Sequence, residues 1–180
     1  MAITVQAAQQ ILGNFDSKIN QAVIEGMTNG LNLAALVSAT KFFTGSDAPR
    51  GSRDPFLDPA NPPPGPLKVR SGDLRRGTQV DPPRAMGSIF IGALTNAVSY
   101  APLHEFGGTI GGSFITARNG DALAFPGKDG NLVFRKSVTT RPAKIPARPF
   151  LGPAVEEVEL DIGVEIQNAI VTFLNNALSG

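Results

Sequence analysis

Few residues in this chain could do acid–base or nucleophilic chemistry, and their spacing argues against most reactions they could serve. There is one histidine and no cysteine, which excludes thiol catalysis, disulfides, iron–sulfur clusters and thiolate zinc sites together. His104 stands beside Glu105, the one pair from which a hydrolase argument can start. Gripping zinc from one helical face would require a second histidine four residues on, and that position is Gly108. Ser113, Ser137 and Thr139 have no second histidine and no flanking glycines of the nucleophile-elbow kind. Gly107, Gly108, Gly111 and Gly112 are not followed by the Gly-Lys-Ser/Thr of a phosphate cradle and read as a flexible loop. Two readings of His104-Glu105 follow. As a small hydrolase, the pair lines a pocket open to solvent; as a structural pair, it hydrogen-bonds within the fold. The structural reading is the expectation, with no enzyme activity and no catalytic, cofactor or metal site.

Binding chemistry is equally sparse. Sixteen Lys and Arg against fifteen Asp and Glu leave a formal charge of +1, too little to hold the protein to DNA or to an anionic membrane. Arg70, Arg75, Arg76 and Arg84 have no interleaved aromatics to stack bases, since Trp is absent and Tyr100 is the single tyrosine. Charge is distributed unevenly along the chain. Residues 1–40 sum to −1, 41–150 to +7 and 151–180 to −5. The acidic tail is either the solvated face of a helix near basic loops or one half of a head-to-tail complementarity between subunits. No basic residue precedes Lys18 and no apolar run nears the ~18 residues of a membrane span, so solubility where the chain is made is expected.

The elements that must position these residues follow from periodicity and punctuation. Phe15, Ile19, Val23, Met27, Leu31, Ala34 and Val37 recur at helical spacing and predict a long amphipathic helix packed against a sheet. Gly26 and Gly30 interrupt it, either indifferently at the surface or where another backbone comes close. Pro55, Pro59, Pro62, Pro63, Pro64 and Pro66 exclude a helix or central strand over 44–66. That segment is a disordered linker or an arm that orders against a neighbour, with Phe56 and Leu57 as an apolar hook. Strand-like runs lie at 77–80, 88–94, 113–116, 122–125 and 131–138, the last two joined as a hairpin whose turn carries Asp129-Gly130. A C-terminal helix at 150–178 lines up Val155, Val158, Ile162, Ile166, Ile170 and Phe173 on one face, with acids early. The fold class is α+β: one domain over 1–180, an antiparallel or mixed sheet flanked by a long N-terminal and a C-terminal helix, and a proline-rich protruding loop.

Four strings remain: LKVRSGDLRRG at 67–77, YAPLHEFGG at 100–108, AFPGKDGNLVFRKSV at 124–138 and IPARPFLGP at 145–153. Together they resemble the tail-completion and neck proteins of long-tailed bacteriophages. In those proteins an R-[ST]-G-x-L element precedes a sheet, Y-A-x-x-x-E-F-G follows, and P-A-R-P-F-L opens a C-terminal helix. The resemblance implies a non-enzymatic virion subunit forming a six-fold homo-oligomeric ring at the head–tail junction. Its implied partners are a connector or portal-side ring and the tail tube, with genome DNA crossing the lumen unread and no membrane. A connector layer of the neck is the alternative. The strings also read as fold determinants. Pro102 starts a single helical turn that Gly107 ends, and Pro146 and Pro149 fix the entry to the last helix. Phe150 and Leu151 anchor that entry, and Arg148 is the natural partner of Glu105 because guanidinium binds carboxylate through two donors. Tyr100, His104, Glu105, Phe106, Gly107, Arg148, Pro149 and Phe150, with Phe56 and Leu57, are therefore the candidate fold and interface residues.

Overall fold

The structure, a computed structural model, describes residues 5–44, 65–67, 69, 71–118, 120–127 and 131–178. It is α+β: helices α1 (Val5–Val37) and α5 (Glu159–Leu178) lie antiparallel against each other, with small antiparallel sheets between them in the chain. Their contact explains the two glycines of α1. A Cβ on Gly26 would sit 2.4 Å from the Ile166 Cα, and one on Gly30 would sit 2.8 Å from the Ile162 Cα. Only residues without a side chain allow backbones so close, so the open question about Gly26 and Gly30 resolves as close approach. Ala22, Ala34 and Ser38 continue this small-residue stripe and are buried. The expectation that α1 packs chiefly on a sheet is corrected accordingly: α5 is its main partner, and the sheet takes an adjoining face. Phe15 and Phe173 close the far end of the helix pair, with ring centroids 5.5 Å apart.

The sheet face is a hairpin of β1 (Thr78–Met86) and β2 (Ile89–Asn96). Gly87 alone takes a positive φ, 66°, in the two-residue turn, as a type II′ connection requires. Strand β1 runs on through Pro82 and Pro83, where a strand ending near residue 80 was expected. The ladder shifts register there, since Asp81 pairs with Ala93 but Arg84 with Ile91. The two prolines, lacking amide donors, thus form a bulge opposite Gly92. Pro83 is buried, and a Cβ on Gly92 would come within 2.9 Å of it and 2.8 Å of Leu31 from α1. That fit seats the helix on the hairpin.

Beyond helix α3 (Ala101–Phe106), six short strands pair concentrically. These are β3 (Gly108–Ile110) with β8 (Ala143–Ile145), β4 (Phe114–Thr116) with β7 (Ser137–Thr139), and β5 (Leu123–Pro126) with β6 (Leu132–Arg135). The hairpin expected over 122–138 is present as β5–β6 and β7; its turn residues Asp129 and Gly130 lie outside the described residues. Strands β3 and β8, hidden in sequence among glycines and prolines, extend the same pairing inward. Thr140 stitches the steps together: its N–H donates to the Ser113 carbonyl at 2.8 Å, and its Oγ1 accepts from the Ser113 N–H at 2.8 Å. The described strands between Gly108 and Ile145 thus form one interrupted two-stranded ribbon instead of part of a continuous sheet. No helix among the described residues is long and apolar enough to cross a membrane.

Candidate functional site

Three of the four distinctive strings converge on one corner. Helix α3 begins with Pro102 in its first turn and ends at Gly107, whose φ of 71° and ψ of 178° lie in a region almost reserved for glycine. This is an extended positive-φ conformation, not the left-handed helix end expected. A Cβ at Gly107 would also come 2.9 Å from the Ala147 nitrogen. Pairing of β8 with β3 brings 145–153 back alongside α3, where the Arg148 N–H donates to the His104 carbonyl at 2.7 Å.

Glu105 does not pair with Arg148. Its Oε2 accepts from the N–H groups of Phe150 at 2.8 Å and Leu151 at 3.1 Å, and its Oε1 from that of Gly152 at 2.9 Å. These amides open helix α4 (Gly152–Glu157), where the first N–H groups have no partner inside the helix and the dipole favours a negative charge. A carboxylate can accept all three at once, so the helix start does the work assigned to a guanidinium. Arg148 is nonetheless buried, 5% exposed, and its Nη1 donates to the carbonyls of Gly65 at 3.0 Å and Pro66 at 3.4 Å. It fastens the end of the proline-rich segment to the corner. His104 is half-buried with its ring edge-on to Tyr100, centroids 5.8 Å apart. Burial, and secondarily the charge of Arg148, hold its pKa below the ordinary 6.5 and keep the imidazole neutral near pH 7.

Under this polar layer lies the apolar one. Phe150 is fully buried and meets Phe43 edge-on at 5.0 Å, with Leu67 and Ala101 completing the cluster and Leu74 packed against it. The Leu67 N–H donates to the Phe42 carbonyl at 2.8 Å, so the chain leaves and re-enters the body at one point on either side of 44–66. Phe56 and Leu57 lie outside the described residues. In the first string, Gly72 takes φ 80° just before α2 (Asp73–Gly77), and Asp73 accepts from Ser71 at 2.5 Å and from Arg76 at 2.6 Å. Those bonds, Ser71 first and then Arg76, keep the Asp73 carboxyl below its usual pKa. Asn96 organises the other side: its amide donates to the Leu74 carbonyl at 2.6 Å, and its Oδ1 accepts from the Val98 N–H at 3.0 Å. Sequence reading missed Asn96; the available signal was an asparagine ending a strand two residues before a turn.

The remaining candidates are on the surface. Phe106 is 80% exposed and Tyr100 is exposed as well, while Pro149 is half-buried beside Phe150. Phe106 opens a run of exposed apolar side chains that continues along the ribbon through Ile110, Phe114, Ile115, Leu132 and Phe134. A polar groove of about 620 Å³ between α1 and α5 has Lys18, Glu25, Glu165 and Asn168 on its walls and holds no nucleophile–base pairing. No group of three or more His, Asp or Glu suited to a metal occurs among the described residues. The chain matches no protein-family model, no curated protein and no solved structure.

Proposed function

We propose that this chain is a phage virion structural protein, a tail-completion or tail-terminator subunit that forms a homo-oligomeric ring at the head–tail junction. The observation that carries the reading is the convergence of its distinctive strings. Segments 67–77, 100–108 and 145–153 are far apart in sequence, yet they build one corner: Leu67, Ala101 and Phe150 share a buried cluster, and Glu105 caps the amides of 150–152. Residues that carry the resemblance therefore act as a single structural unit, as expected of a shared fold. The ribbon supports the assembly half of the reading. An isolated two-stranded hairpin is marginal in water, and Phe114, Leu132 and Phe134 on this one are 69%, 64% and 61% exposed.

A hydrolase built on His104 and Glu105 is the less favoured reading. Three backbone amides already donate to the Glu105 carboxylate and favour its charged form, which makes it a poorer base for a hydrolytic step. A connector layer of the neck shares the family signature and differs in ring order. The deciding experiment is an averaged image of the virion neck from particles carrying this chain with a small density tag. Tag density in a closed ring between capsid connector and tail tube is expected, and six-fold order separates a tail terminator from a twelve-fold connector. Tag density absent from the neck overturns the proposal.

A further inference from the structure

Each copy carries two exposed apolar surfaces of opposite charge. On α5, Leu160 is 86% exposed, and Val164 and Val171 are exposed on the same side, turned away from the glycine contact with α1. Glu156, Glu159 and Asp161 are exposed around them, and the whole stretch 152–178 contains no basic residue. On the ribbon, Phe114 and Phe134 are 69% and 61% exposed. Arg118, Arg135, Lys136, Arg141 and Lys144 are exposed among them, against the single described acid Asp121.

We propose that the acidic face of α4–α5 in one copy docks on the basic ribbon of the next copy. This inference rests on reading the chain as an assembling subunit and names the surfaces that would do it. Charge decides the partner. Two ribbons meeting each other would bring bases against bases, and two α5 faces would bring acids against acids, whereas one of each is complementary. Because the two faces are different patches of one molecule, the contact is heterologous: each copy offers a donor face and an acceptor face, and the series closes into a ring or grows. The apolar residues supply the buried area, and the ribbon, marginal alone, gains a second layer. This also assigns the charge segregation along the sequence to a contact between copies; within one copy the described ion pair of the acidic tail is Glu157 with Lys41.

Two variants of the full chain test the polarity. Leu160→Arg with Val164→Arg disables the helix face, and Phe114→Glu with Phe134→Glu disables the ribbon. Wild type should associate beyond a dimer with rising concentration in analytical ultracentrifugation, more weakly at high salt. Each variant alone should be a monomer with an unchanged circular dichroism spectrum, and an equimolar mixture should give dimers that grow no further, since one good contact survives. A second pair, Glu159→Lys with Asp161→Lys against Arg135→Glu with Lys136→Glu, alters charge alone; each should associate poorly, and mixing should restore assembly. Variants that associate like wild type would overturn the face assignment and leave the subunit reading intact. Mixtures that stay monomeric would overturn the head-to-tail polarity. Wild type that stays monomeric to millimolar concentration would overturn self-docking altogether, while the neck reading would still be decided by the tag image.

Discussion

The corner around Glu105 and the ribbon that leaves it are joined through Gly107, yet they are finished in different ways. In the corner, a carboxylate meets three amides, Arg148 meets two carbonyls, and Phe150 has no exposed surface. In the ribbon, all residues from Gly108 to Thr116 are exposed, and aromatic and aliphatic side chains face water on both strands. The same backbone pairing chemistry operates in both regions. What differs is whether a second layer lies over it. Buried apolar area stabilises by about 25 cal/mol per Å²; the corner collects it within one chain, and the exposed ribbon side chains do not. A region completed inside the monomer serves stability; under the docking proposed above, the region left incomplete serves assembly.

Substitutions that strike the monomer's own packing should have the largest effects. Gly26→Val places branched carbons where the Ile166 backbone already lies, and it should cost about 3 kcal/mol or more despite valine's better helix propensity. Chemical denaturation measures it, and a loss under about 1 kcal/mol would mean that the helices are not in contact there.

Glu105→Ala leaves three amides at the start of α4 without their acceptor and should cost about 2 to 4 kcal/mol. Glu105→Gln, which keeps one acceptor oxygen, should fall between alanine and wild type. Equal losses for both variants would assign the effect to charge and not to amide capping.

His104 gives the corner a pH signature. Its folded pKa is depressed, by burial and then by Arg148, below the ordinary 6.5. In the window below about 6.5 the unfolded chain binds a proton that the folded chain resists, so stability falls with decreasing pH. The contribution is complete above 6.5 and declines as pH drops from there toward the folded pKa. His104→Gln should flatten that part of the melting-temperature profile; an unchanged slope would place the titration elsewhere.

Smaller effects belong to exposed positions. Gly163→Ala on α5 meets nothing within 4 Å and should stabilise by about 0.5 to 1 kcal/mol through helix propensity alone. The sign is opposite to that of Gly26→Val although both are helical glycines. On the ribbon, Phe134→Ser should change monomer stability by about 0.5 kcal/mol or less while weakening self-association by sedimentation. A large loss in the dilute monomer would erase the contrast between corner and ribbon.

Much of this architecture was legible in the residues. Helical periodicity marks α1 and α5, and an apolar–turn–apolar pattern marks the β5–β6 hairpin, because each of these signals is carried by neighbours in sequence. Strands β3 and β8 were not legible, since three-residue strands beside glycine and proline are set by the partner strand and not by local propensity. The path of β1 through Pro82 and Pro83 was hidden for a related reason. A bulge is tolerated only where something fills it, and Gly92 with Leu31 is contributed by two distant segments.

Residue chemistry alone determined that Glu105 would need a donor and that Gly26 and Gly30 could admit a backbone. Which donor and which backbone were decided by tertiary structure. A carboxylate is satisfied equally by a guanidinium or by amides aligned at a helix start, and composition does not distinguish them. The choice depends on where residues 150–152 stand once β8 pairs with β3 and Phe150 packs against Phe43. Likewise, the small residues of α1 mark a contact without naming its partner, which only the fold reveals as α5, whose Ile162 and Ile166 backbones lie against Gly30 and Gly26.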